Sequence, residues 1–131
     1  MNDPRQHKRR QRRNQPVPAE GVVVVRGDVL AAESLRTDAA DNHEMYGFYG
    51  ISVFAETAEV PWTDLAATRF AAVPWLVLFT AGDLEAAGLE LWDTGLAPYY
   101  DVVHADLGQL VARMLGTAHR VVPNPHHRTG G

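Results

Sequence analysis

The chain has no cysteine among its 131 residues. Disulfides, cysteine-ligated zinc, iron–sulfur clusters and thiol catalysis are therefore excluded. No apolar run approaches the roughly 18 residues of a membrane-spanning helix. The best run, Val73 to Thr80, is strand-sized and contains Pro74. The basic start leads into Pro16 and Pro18 rather than an apolar stretch, so no secretory leader is expected. A cytoplasmic protein without membrane contact is the resulting expectation. The phosphate-loop patterns GxGxxG and GxxxxGK followed by Ser or Thr are both missing. His43-Glu44 has no second His four residues on, so there is no HExxH, and no EF-hand loop is present. These absences argue against nucleotide triphosphatases and the common metalloenzymes. The length is also too short for a TIM barrel or a two-half dinucleotide-binding fold.

What is present is an uneven charge distribution. The chain carries 12 Lys and Arg against 16 Asp and Glu, for a net charge of −4. Six of the basic residues, Arg5, Lys8, Arg9, Arg10, Arg12 and Arg13, lie in residues 1–20, opposed there by Asp3 and Glu20 alone. The remainder holds the other six basic residues and 14 acids, so a basic arm joins an acidic body. The arm has no periodic apolar residues and cannot bury enough surface to offset its ordering entropy. It is expected to be disordered and to contact RNA or DNA phosphates through those six cations, with salt-dependent affinity. Residues 21–124 form the expected single domain, and 125–131 a flexible tail containing His126 and His127.

Val22 to Val25, between Gly21 and Gly27, predicts a buried strand. Leu30 to Met45 predicts a helix with Ala31, Leu35, Ala39, Asn42 and Tyr46 on one face and Gly47 as its stop. Phe48 to Glu56 reads as a strand with Ile51, Val53 and Ala55 on one face and Gly50, Ser52 and Phe54 on the other. Pro61 opens a helix, and Trp75 to Thr80, apolar throughout, predicts a central strand. Short elements follow: a helix over 82–87 and strands over 90–93 and 99–104. Asp106 caps a last helix with a stripe of Leu107, Leu110, Val111, Met114 and Leu115, and a strand over 119–122 closes the domain. Several connections are too short for parallel crossovers. The expected class is α+β: one compact domain with a mixed, mostly antiparallel sheet and three to four helices packed on it.

Among candidate chemical groups, Arg26 stands where a buried strand emerges, suited to hold a phosphate or carboxylate. Its ordinary alternative is an ion pair with Asp28 or another acid of the body. Tyr46, Phe48, Tyr49, Ser52 and Phe54 form an aromatic segment that could stack on a ring, or simply be core. His104, Asp101 and His119 are acid–base candidates; as structural residues, His104 would bond to the turn and His119 to the last helix carbonyls. Glu56, Glu90 and Asp93 are carboxylates near strand ends, where surface solvation is the ordinary role.

Arg26 in VVVVRGD, Ser52 in YGISVFAE and a carboxylate among Glu90 and Asp101 resemble the site of small ADP-ribosyltransferase-fold proteins, including compact toxins of bacterial toxin–antitoxin pairs. The resemblance covers most of residues 22–122 by element order. It implies a small bacterial enzyme with NAD as substrate and a cognate antitoxin or other protein as partner. It implies that Arg26 anchors the NAD phosphates and Ser52 supports the nicotinamide ribose. The carboxylate, Glu90 or Asp101, would stabilise an oxocarbenium-like transition state, while Tyr46 or Tyr49 stacks on nicotinamide. Two other readings stand beside it. One is a non-catalytic accessory protein that binds nucleic acid or protein through the arm. The other is a metal-free ribonuclease using His104 or His119 with Arg26.

Overall fold

Backbone polar groups and apolar side chains must both be satisfied, and a valine run does both only inside a sheet. β1 (Val23–Gly27) accordingly lies near the middle of the protein. The computed structural model describes residues 18–28, 30–93 and 99–127. The Arg-rich residues 5–13 lie outside the described residues. After β1 come α1 (Ala32–Tyr46), β2 (Gly50–Ala55), α2 (Trp62–Arg69), β3 (Trp75–Thr80), α3 (Ala81–Ala86), β4 (Glu90–Asp93), β5 (Tyr99–Val103), α4 (Leu107–Gly116) and β6 (Arg120–Pro123). This is the element order expected from the sequence.

The six strands form one sheet in the order β4-β5-β2-β1-β3-β6, and every neighbouring pair is antiparallel. Among the described residues the protein is thus a single α+β domain with four helices on an antiparallel sheet. β1 and β2 hold the centre. β3, expected there, is second from an edge because the short β6 pairs along its outer side. Its unbroken apolar run has a different cause, since both of its faces are covered. Val77 and Phe79 join a cluster with Leu35, Ala39, Leu110, Val111 and Met114 from α1 and α4. Leu76 and Leu78 face the other way, toward Leu65 and Ala66 of α2. Each fully buried side chain of this size contributes about 1.5–3 kcal/mol.

Local signals set the helix ends. Gly47 takes a left-handed conformation (φ 84°) and its N–H donates to the His43 carbonyl at 2.9 Å, ending α1 as expected. An Asp106 carboxylate oxygen accepts from the Gln109 N–H at 2.8 Å, starting α4. Leu110, Val111 and Met114 are buried along the predicted stripe, but Leu115 is 37% exposed.

Candidate functional site

The sheet opens at its centre. β2 pairs with β5 along five residues, Gly50 to Phe54, yet its pairing with β1 covers only Ala55 and Phe54. From there toward Gly50 the inner side of β2 needs other partners for its N–H and C=O groups. α1 and β1 supply them with side chains. Asn42 donates to the Gly50 carbonyl at 2.7 Å. Asp38 Oδ2 accepts from the Ser52 N–H at 3.0 Å. Arg26 Nη1 donates to the Ser52 carbonyl at 2.9 Å and to Asp38 Oδ2 at 2.9 Å. Asp38 and Asn42, four apart on α1, therefore act as a surrogate strand for β2.

The Arg26–Asp38 ion pair is largely shielded, with side chains 17% and 26% exposed. The ordinary alternative for Arg26 is therefore realised, with Asp38 rather than Asp28. The contacts of Arg26 to Asp38 and Ser52 both run through Nη1, and a guanidinium has five N–H donors.

Ser52 also connects outward. Its hydroxyl lies 2.5 Å from the Tyr99 hydroxyl of β5. Asp101, 1% exposed, stands directly opposite Ser52 on β5 and opposite Trp92 on β4. Burial raises the Tyr99 phenol above its ordinary value. The Ser52 hydrogen bond works against that, while the negative charges of Asp101 and Asp38 and the neighbouring Tyr46 add to it. Tyr100 is raised likewise, by burial first and then by the charge and hydrogen bond of Asp93. At neutral pH both phenols keep their protons and can donate hydrogen bonds.

Beside this cluster Gly50 admits the Phe48 ring. A Cβ on Gly50 would lie 2.8 Å from Phe48 Cε2 and 3.3 Å from Asp101 Cβ. Phe48 in turn meets Trp92, their ring centroids 4.6 Å apart. On the other side of Tyr99, Phe54 packs edge-on against both Tyr99 and Phe70, each at 5.4 Å. The Arg69 guanidinium sits 5.7 Å from the centre of the Phe54 ring. The opening is therefore flanked by an aromatic shelf with a cation on it.

Of the residues singled out in the sequence, Arg26 and Ser52 are brought together. Tyr46 is close enough to Tyr99 to affect its ionisation. Tyr49 is turned aside, its ring stacked on His43 at 4.3 Å. Glu90 is exposed at the start of β4, opposite Val103. The two intervening strand spacings alone put it roughly 10 Å from Ser52. His104 is engaged locally, its Nδ1 accepting from the Asp106 N–H at 2.9 Å, as its turn reading expected. His119 Nδ1 meets the Thr117 carbonyl at 2.7 Å, just past the end of α4. Two carboxylates depart from surface solvation. Asp93 is buried, and Glu56 accepts from the Val23 N–H at 2.9 Å and the Trp62 N–H at 3.3 Å, tying α2 to β1.

Asp38, Tyr99 and Arg69 belong to this region and were not singled out. For Asp38 a signal existed, because it is three residues from Leu35 and four from Asn42, on the inward face of α1. Among the described residues no group of three or more His, Asp or Glu is arranged to hold a metal ion. Among the described residues no helix is long and apolar enough to cross a membrane. No family model, curated protein or solved structure matches the chain.

Proposed function

We propose that the opening between β1 and β2 is a nucleotide-handling site, and that the protein is a small toxin-like enzyme transferring ADP-ribose from NAD. One juxtaposition carries the reading. Arg26, Ser52 and Asp101 stand on three strands that are neighbours in the sheet, β1, β2 and β5, with Ser52 bonded to Arg26 and opposite Asp101. In this reading the guanidinium of Arg26 exchanges Asp38 for a phosphate of NAD. The Ser52 and Tyr99 hydroxyls orient the ribose, and Tyr46 flanks the nicotinamide. Asp101 is the better candidate than Glu90 for stabilising positive charge as the glycosidic bond breaks, because it is the carboxylate opposite Ser52. Phe48 and Trp92 must yield to expose it. Nicotinamide leaves, and ADP-ribose passes to an acceptor. A cognate antitoxin or other protein partner would cover this opening.

The arm favours a second, non-catalytic reading, in which the protein is an accessory factor holding RNA or DNA. Its supporting observation is that half of the 12 basic residues lie in residues 1–20.

The enzyme reading is tested by incubating the pure protein with NAD, with and without bacterial extract, and quantifying free nicotinamide. The expected outcome is release by the natural protein and loss of release in Ser52→Ala and Asp101→Asn, each checked for folding by circular dichroism. Folded natural protein that neither binds nor cleaves NAD would remove the enzyme reading and leave the accessory one.

A further inference from the structure

The sheet ends at β6, and among the described residues no strand pairs with its outer side. The ladder with β3 fixes which groups face out. The Asn124 N–H donates to the Pro74 carbonyl at 2.9 Å, and the pairs Val122–Leu76 and Arg120–Leu78 follow at two-residue steps. In an antiparallel ladder these alternate pairs exchange the hydrogen bonds and the pairs between them do not. The N–H and C=O of Val121 and the C=O of Pro123 therefore point away from β3. Pro123 has no N–H to leave unpaired there. The end of β6 is held by Asn124, whose side chain donates to the Phe70 and Val73 carbonyls at 2.8 and 3.0 Å. Val121 stands opposite Val77 on the α4 side, and Trp75 and Pro123 share that face. Trp75 and Val121 are each 44% exposed. Arg120, on the other face with Val122, is exposed and makes no hydrogen bond or ion pair among the described residues. The charge of this part of the chain is also distinct. All 16 acids lie before Leu107, whereas residues 107–131 hold Arg113, Arg120, Arg128 and three histidines but no acid.

We propose that the β6 edge takes an extended segment of a protein partner as an additional strand, one in which carboxylates alternate with apolar residues. Main-chain hydrogen bonds to Val121 and Pro123 set its register. The two-residue period of a strand then sends its side chains to the two faces in turn. Those beside Val121 and Trp75 meet apolar surface, and those on the opposite face meet Arg120. Charge complementarity selects this occupant. Antiparallel pairing of β6 with a second copy of itself about Val121 would make the two Arg120 residues diagonal neighbours, about 7–8 Å apart on one face. Neither β6 strand has an acid to offset them. The edge lies two strands from β1, on the side away from β2, so the inference stands or falls apart from the NAD reading.

The test titrates a peptide of alternating Glu and Val, about seven residues long like an ordinary strand, into the isotopically labelled full chain. Backbone amides are followed by NMR. Saturable shifts are expected in β6 and β3, with the Val121 N–H moving most because it gains a hydrogen bond. A peptide alternating Lys and Val is expected to bind roughly tenfold more weakly. Arg120→Glu should weaken the Glu–Val peptide by a similar factor. Arg36→Glu makes the same charge change on the exposed side of α1 and should leave binding nearly unchanged. Circular dichroism checks the fold of each variant, and the comparison of the two peptides needs no variant. Equal affinity for the two peptides, equal losses in the two variants, shifts confined to another surface, or no shifts at millimolar peptide would each overturn the proposal. So would Val121 shifts that grow with the protein's own concentration in the absence of peptide, which would assign the edge to a second copy.

Discussion

Replacing Phe79 with alanine is expected to lower the free energy of unfolding by about 3–5 kcal/mol. Phe79 heads the largest fully buried side chains and is 2% exposed. It belongs to the cluster under α1 and α4, opposite Val24 on β1. Alanine there loses the transfer energy of the ring and leaves a cavity that the rigid sheet cannot close. A domain of this size has about 5–15 kcal/mol in total, so the loss is roughly a fifth or more of its stability. Phe79→Leu keeps most of the volume and should cost about 1–2 kcal/mol. Urea unfolding at constant slope measures both. A loss under 1 kcal/mol for Phe79→Ala would mean that this cluster is not the main core.

Asp38→Ala is expected to cost about 2–3 kcal/mol. The substitution removes the acceptor for both the Arg26 guanidinium and the Ser52 N–H. Full burial would put the penalty for a broken ion pair at about 3–5 kcal/mol. The 26% exposure of Asp38 lets water compensate in part, hence the smaller figure. Arg26→Ala should cost a similar amount, because it strands Asp38 and the Ser52 carbonyl. The double variant separates the pair from its surroundings. A coupling of about 1–2 kcal/mol is expected between the two positions. Additive losses would mean that each residue serves β2 on its own, without the ion pair.

Much of this fold is legible in the sequence because its signals are local. The valine run, the stripe of α4 and the glycine stop of α1 each combine a period with a boundary residue. Asn42 could be placed on the inward face of α1 from spacing alone. Strand order could not be read this way. The apolar run of β3 suggests a central place, yet coverage by helices on both faces gives the same run one strand from the edge. The candidate site was legible in half. Arg26 and Ser52 stand out because each is a polar residue in an apolar strand. Their connection depends on where β1 parts from β2, and no local pattern marks that point. Tyr99 reaches Ser52 across 47 positions, a distance no periodicity spans. Asp38 was within reach of sequence reasoning. A carboxylate on the buried stripe of a helix needs a cation, and Arg26 is the cation at the end of a buried strand.

The central claim, that the β1–β2 opening receives a nucleotide, is tested most directly by titrating NAD into isotopically labelled protein and following backbone amides by NMR. The account predicts saturable shifts concentrated at Gly50, Ser52 and Phe54, together with the Arg26 side chain. The Ser52 amide should move most, because its N–H is bonded to the carboxylate that Arg26 must release. Saturable shifts confined to another surface, or no shifts at millimolar NAD, would contradict it.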